Sequence, residues 1–232
     1  MKATTPILFS LLWCAALCAQ NAPKARPVDP SMAPVEEVAN LPRVLLIGDS
    51  ISMGYTVPVR ELLKDKANVL RVLENAGDSA RGIVKLDAWL GAKKWDVIHF
   101  NFGLHDLKYL DETGKYVSPD QGKQVASLTQ YEANLRQIVE RLKKTGAKLI
   151  WASTTPVPEG TLGRVKSDEV KYNETALRVM KEYAIEIDDL HTVVTDGPAD
   201  MQLPKNVHFT KDGYQALARS VAAGIETALS KR

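Results

Sequence analysis

The feature that most constrains this chain is an alternation. Five short apolar runs stand out: RVLLIG (43–48), NVLRVLEN (68–75), WDVIHFNF (95–102), AKLIWASTT (147–155) and AIEIDDL (184–190). Each is nearly continuous in apolar residues, the pattern of strands covered on both faces. Helical spacing fills the intervals, at Val57–Lys66, Ala80–Leu90, Leu128–Lys144, Lys166–Tyr183 and Lys211–Leu229. In the third of these, Leu128, Tyr131, Leu135, Ile138, Val139 and Leu142 recur at three- and four-residue intervals, and Gly146 supplies a stop. Strand and helix in turn, joined by right-handed crossovers, predict an α/β fold: a three-layer α/β/α sandwich around a five-stranded parallel sheet. With 45% hydrophobic residues over 232 positions, one core is well supplied. The domain is expected over residues 43–232.

The residues ahead of it read differently. Lys2 followed by PILFSLLWCAALCA (6–19) has the charge, apolar stretch and small residues of a signal peptide, expected over 1–19. The apolar stretch is short for a membrane span, so an uncleaved anchor is the less favoured alternative. Export to the periplasm or the medium follows, with no stable membrane insertion after cleavage. Cys14 and Cys18 both lie in this segment, so the cleaved chain would hold no thiol and no disulfide. Residues 20–42 are proline-rich and aperiodic, which predicts a linker. A net charge of +2 with no basic stripe speaks against a nucleic-acid partner. Oligomeric state leaves no trace in the sequence.

Ligands of parallel α/β sheets gather at the carboxyl ends of the strands. The first strand ends on Gly48-Asp49-Ser50, the second leads into ENAGDSARG (74–82), and the third into NFGLHDLKYL (101–110). His208 lies in LPKNVHFTKDGY (203–214), just before the final helix. A serine hydroxyl needs a base within hydrogen-bond reach to become a nucleophile, and a neutral imidazole can take its proton and later return it. The Ser50 N–H, at a strand-to-helix turn, and the Gly77 N–H, with no side chain in the way, could face a developing oxyanion. For Ser50 the competing reading is an ordinary turn; for His208, a cap of the last helix; for Gly77, a residue needed only for positive φ.

These stretches, in this order, resemble the SGNH/GDSL hydrolases. The serine-bearing Gly-Asp-Ser stands at 48–50, the second-block glycine at Gly77, and the third block, Gly-x-Asn-Asp in the family, at Gly103-Leu104-His105-Asp106. The resemblance implies a flavodoxin-like sheet, Ser50 as nucleophile, His208 as base, and an oxyanion site formed by the Ser50 and Gly77 amides and a side chain at His105. Two positions depart from the pattern. His105 replaces the asparagine that donates its amide, and an imidazole N–H could fill that place; a histidine that merely ties the loop down is the alternative. Lys205 replaces the aspartate of the final Asp-x-x-His, and a cation there would oppose an imidazolium. Asn206, or a main-chain carbonyl, is left as the candidate to orient the ring. The implied activity is hydrolysis of a carboxylic ester by an exported serine esterase. The expected substrate is a short acyl (acetyl) ester of a carbohydrate or other small alcohol. The alternatives are a catalytically inactive carbohydrate-binding protein of the same fold, and a flavodoxin-like binding domain whose Gly-Asp-Ser is incidental.

The other conspicuous residues read as structural. Asp49 is expected to bond amides in its own turn, Asp78 and Ser79 to cap the helix that follows, and Asp106 to brace its loop. His99, inside an apolar run, reads as a core residue and His191 as a loop residue. No histidine pair has ligand spacing with carboxylates nearby, so no metal is expected, and no glycine-rich phosphate loop or other cofactor motif appears. Asn173-Glu174-Thr175 fits a glycan acceptor pattern but falls within a predicted helix and is set aside. The polar stretch LKYLDETGKYVSPDQG (107–122) is either a loop that reaches substrate or a surface excursion. Trp151–Pro156 ends its strand on the same edge and could wall a pocket.

Overall fold

The computed structural model describes residues 29–231; the expected signal peptide lies outside them. Among the described residues, seven strands form two sheets. The larger contains β1 (Arg43–Ile47), β2 (Asn68–Arg71), β3 (Val97–Phe100), β6 (Lys148–Ala152) and β7 (Glu186–Asp188), in the order β2-β1-β3-β6-β7. All its pairings are parallel. The helices are α1 (Ser50–Leu62), α2 (Ser79–Leu90), α3 (Leu128–Lys143), α4 (Glu169–Glu182), α5 (Leu190–Thr195) and α6 (Lys211–Ser230). Helices α1 and α6 pack together on one face, and α2, α3 and α4 pack in series. This is the expected three-layer sandwich. Val44, Leu46, Val97, Ile98, Phe100 and Trp151 are fully buried, as continuous apolar strands between two helical layers must be. No helix among the described residues is long and apolar enough to cross a membrane.

From β1 the chain crosses to β2 on one side, whereas from β3 it crosses to β6 on the other. The carboxyl ends of β1 and β3 therefore flank a crevice at the point where the winding reverses, where ligands of such sheets bind. Residues 48–50 and 101–106 leave from these two ends.

Three features differ from the sequence reading. Helix α1 starts at Ser50, not Val57. Asp49 caps it by accepting the Ile51 N–H at 2.9 Å, and Pro58 sits inside it, where a missing N–H forgoes a single bond to the Gly54 carbonyl. The excursion after residue 107 carries a small antiparallel pair, β4 (Tyr109–Leu110) and β5 (Lys123–Gln124). It is tied to the 157–168 loop by Tyr109 N–H to Gly163 O at 2.8 Å and Gln124 Nε2 to Asp168 Oδ2 at 2.6 Å.

The third difference concerns the linker. Residues 29–42, the latter part of the expected 20–42 tether, are packed against the domain. Pro30–Met32 form a turn of 3-10 helix with Ser31 buried, and Arg60 Nη1 donates to the Pro30 carbonyl at 3.3 Å. Further on, the Asn68 amide accepts from Val38 N at 2.8 Å and donates to the carbonyls of Val38 (2.9 Å) and Leu41 (3.2 Å). Glu37 bonds Arg43 and Lys93, and the Arg43 guanidinium lies 4.1 Å from the Trp95 ring centroid. Side-chain hydrogen bonds and ion pairs, rather than an apolar stripe, hold this strap, so aperiodic sequence does not announce it. Asn68→Ala should lower the unfolding free energy by about 2 kcal/mol, since it removes three partly buried hydrogen bonds to the strap backbone. Limited proteolysis should then cut within 29–42 well before the domain; resistance equal to wild type would refute this role for Asn68.

Candidate active site

The turn that carries Ser50 is built from its neighbours. A Cβ on Gly48 would stand 2.8 Å from Ser52 Cβ, so only glycine lets α1 fold back so tightly on the strand end. Asp49 is buried and serves its own turn as the cap, as expected. Ser50 is the first residue of α1, which places its backbone N–H among the orphan amides at the positive end of a 13-residue helix. Beneath the turn lies Arg71, a buried guanidinium from β2. It donates to the carbonyls of Gly48 (3.3 Å), Val72 (2.9 Å) and Glu74 (3.4 Å) and to Thr56 Oγ1 (3.0 Å). Burial lowers its pKa to about 10, which leaves it a cation at neutral pH.

His208 arrives from the far end of the chain. Its loop is closed by Leu203 N–H to His208 O at 2.9 Å, Thr210 N–H to Met201 O at 2.8 Å, and a bridge between Gln202 and Phe209. His208 Nε2 lies 2.8 Å from Ser50 Oγ, across 158 residues of sequence. On the ring's other side, Nδ1 is 2.7 Å from Asn206 Oδ1, which also accepts the His208 backbone N–H at 3.1 Å. A backbone N–H can only donate, so the atom facing it is the amide oxygen. Nδ1 therefore carries a proton, and in the neutral tautomer this selects, the Nε2 lone pair faces the serine. Lys205, at the position that resembles the family's aspartate, has φ 54° and runs its side chain along Gly160.

The remaining candidates divide. Gly77 has the positive φ its type allows, 70°, but its N–H donates to Asn75 Oδ1 at 2.9 Å, so it is not free for an oxyanion. His105 is half-buried, with Nδ1 3.2 Å from Lys108 Nζ. Burial holds its pKa below the ordinary imidazole value; Asp49 opposes this, and Lys108 and Arg164 add to it. Asp106 is fully buried and accepts from the Ser79 N–H (3.0 Å) and Oγ (2.5 Å), while Asn134 Nδ2 donates to Ser79 Oγ at 2.9 Å. It thus ties the third block to the start of α2 and is the brace expected; Asp78 caps that helix by accepting Arg81 N–H at 2.9 Å.

His99 is a core residue, its Nε2 3.0 Å from Asp188 Oδ2. His191 corrects the loop assignment: it lies in α5, its N–H donating to Ser153 Oγ and its Nε2 facing the buried Glu169. Asn173 is buried and bonds both the N–H and the carbonyl of Thr154, each at 2.8 Å, which fits a structural residue rather than a glycan acceptor. Among the described residues no group of histidines, cysteines and carboxylates is placed to hold a metal ion. An open cleft of about 390 Å³ begins at Ser50 and runs between Met53, Gly54 and Val57 of α1, Tyr214 of α6, and Asp29–Ser31 of the strap. The sequence reading missed Arg71, Asn173 and the strap as parts of this neighbourhood. Of these only Arg71, a charge in the middle of an apolar run, left a signal.

Ser50 and His208 thus meet at the switch crevice of a parallel α/β sheet. Residues 46–216 match the GDSL-like lipase/acylhydrolase family, and the chain belongs to that family of carboxylic ester hydrolases. Among solved structures it is similar to the acetyl xylan esterase AlAXEase, with 14% identity, TM-score 0.63, and coverage of 79% of this chain and 99% of that one. It is also similar to a lipase/acylhydrolase from Enterococcus faecalis (16%, TM-score 0.67, 81% and 96%). A third is a catalytic mutant of Axe2, an acetylxylan esterase from Geobacillus stearothermophilus (18%, TM-score 0.62, 82% and 96%). At these identities the likeness shows the shared fold. No curated protein matches the chain.

Burial pushes Asp106 up to about 7, against the opposing bonds from Ser79. A carboxyl whose pKa is raised on folding binds its proton more tightly in the folded state. Its contribution is therefore full below the ordinary carboxylate range and is lost as pH rises toward about 7. Urea unfolding should show wild type losing stability relative to Asp106→Asn across that window. Parallel curves for the two proteins would show that Asp106 does not titrate there.

Proposed function

We propose that this protein is an exported serine esterase that removes a short acyl group, acetyl foremost, from a carbohydrate or other small alcohol. The observation that carries the proposal is the 2.8 Å contact of Ser50 Oγ with His208 Nε2, backed by Asn206 on Nδ1. In this reading Nε2 takes the hydroxyl proton as Ser50 Oγ attacks the ester carbonyl. The resulting tetrahedral oxyanion is met by the Ser50 N–H and by the His105 side chain. The Gly77 N–H joins them only by sharing or leaving its bond to Asn75. Collapse expels the alkoxide, which takes the proton back from His208 and departs as the alcohol. Water then repeats the sequence on the acyl-Ser50 ester, with His208 as base, and releases the acid. Asn206 orients the ring through a neutral oxygen, the part asparagine plays in Cys-His-Asn proteases. The acyl and sugar preferences rest on the acetyl xylan esterases among the similar structures, and export on the signal-like sequence at 1–19.

The mature domain should hydrolyse p-nitrophenyl acetate, and Ser50→Ala should lower the rate by at least about 10³-fold, the scale of losing a nucleophile that acts as a unit with its base. Equal rates in the two proteins would remove Ser50 from the mechanism. The neutral Asn206 also favours the rival reading, a sugar-binding descendant without turnover. A fluorophosphonate probe separates the two: the esterase is labelled at Ser50, and a protein that binds glycan but is not labelled is the descendant. Asn206→Ala should lower kcat about tenfold to a hundredfold with little change in KM, because ring orientation matters most when the imidazolium forms. An unchanged kcat would assign orientation to another group.

A further inference from the structure

His105 holds the third-block position that supplies an oxyanion donor in the proposed reading, but an imidazole is ambiguous. A neutral ring donates from one nitrogen only, and with the wrong tautomer it would turn a lone pair toward the developing negative charge. The structure contains a device that resolves this. Lys108 Nζ lies 3.2 Å from His105 Nδ1. An ammonium has three donors and no acceptor, so the nitrogen it faces must carry a lone pair. The ring proton is then on Nε2. Adding a second proton would set an Nδ1–H against the ammonium, two donors facing each other.

Lys108 is itself held in place. Its Nζ lies 5.3 Å from the centroid of the Tyr116 ring, and Arg164 CZ lies 5.5 Å from the same ring. Arg164 Nε donates to the Leu104 carbonyl at 3.0 Å, one residue before His105. Lys108 and Tyr116 both belong to the 107–122 excursion, whose purpose the sequence left open. The charged groups acting on His105 are Asp49 and Asp78, which favour its protonation, and Lys108 and Arg164, which oppose it.

We propose that Lys108 is a positioning residue that fixes His105 as a neutral Nε2–H donor to the oxyanion, with Tyr116 and the 107–122 excursion holding Lys108 at that task. The proposal rests on the esterase reading for its consequence, but its physical content, the tautomer, can be measured without turnover.

Nitrogen NMR of ¹⁵N-histidine-labelled Ser50→Ala protein reads that content directly, with the His105→Asn spectrum assigning the signal among the chain's 4 histidines. The expected result is a pyridine-type Nδ1 and a pyrrole-type Nε2 on His105, which become a mixture in Lys108→Met. A protonated Nδ1 in the Lys108-containing protein overturns the proposal, whatever the activity of the wild type. In the active protein, Lys108→Met should lower kcat about tenfold with KM little changed, a partial loss of one oxyanion donor. Lys108→Arg, which keeps a donor-only cation, should recover most of that loss. The Lys108→Met/His105→Asn double variant should lose no more than His105→Asn alone. Additive losses in that cycle would show that Lys108 acts on something other than the ring. Failure of Ser50→Ala to abolish hydrolysis would sink the esterase reading and leave the tautomer result standing, so the two failures are distinguishable.

Discussion

A buried guanidinium with no carboxylate against it holds the centre of this molecule together. Arg71 donates to oxygens from the end of β1, from α1, from its own strand exit and from the loop that leads to α2. A cation in that position is costly to bury, and the cost is offset only while every donor finds an oxygen. The constraint works in both directions. The carbonyls of Gly48 and Glu74 must stay where the fork can reach them, and so the turn carrying Ser50 and the loop carrying Gly77 keep a fixed relation. Asp106 does the same between the 103–106 loop and the start of α2, through Ser79. The turn into α1 that carries Ser50 and the loops around Gly77 and His105 are thus stapled to one another below the surface by buried polar groups that cannot be left unpaired.

The site these staples hold is assembled from opposite ends of the sequence. The serine is fixed by a helix start, whereas the histidine is fixed by a short closed loop and an asparagine two residues earlier. That asparagine presents an amide oxygen, not a carboxylate, to the ring's Nδ1. An amide oxygen selects the tautomer as well as a carboxylate would, yet it supplies no charge to favour the imidazolium. In the proposed reading His105 and Lys108 repeat this on the oxyanion side, where a ring is given its direction by a neighbour that can only donate.

Much of this was legible in the sequence. The five apolar runs gave the sheet because burial on both faces leaves a continuous hydrophobic trace; Gly48-Asp49-Ser50 could be placed from the strand end it follows, and His208 from the final helix it precedes. Other features left little trace. The first turns of α1 were hidden by Pro58, which looks like a helix start when the cap at Asp49 is not visible. The glycine at 77 announced its φ but not the Asn75 oxygen that takes its N–H. The strap at 29–42 is held by Asn68, and an asparagine inside a strand gives no hint that its amide pairs with a distant backbone. The meeting of Lys108 with His105 depends on where the excursion folds back, which no local pattern encodes.

One consequence of the strap reaches beyond the site. The strand β2 lies at the margin of the sheet and is only four residues long. Its start is overlaid by residues 38–41, and the Val69 carbonyl is taken by Arg60 Nε at 3.1 Å. A margin covered in this way offers an incoming chain little free backbone to pair with. The strap anchored on Asn68 at the start of this strand and Arg60 of α1 on the Val69 carbonyl thus leave less of that border open to an incoming strand.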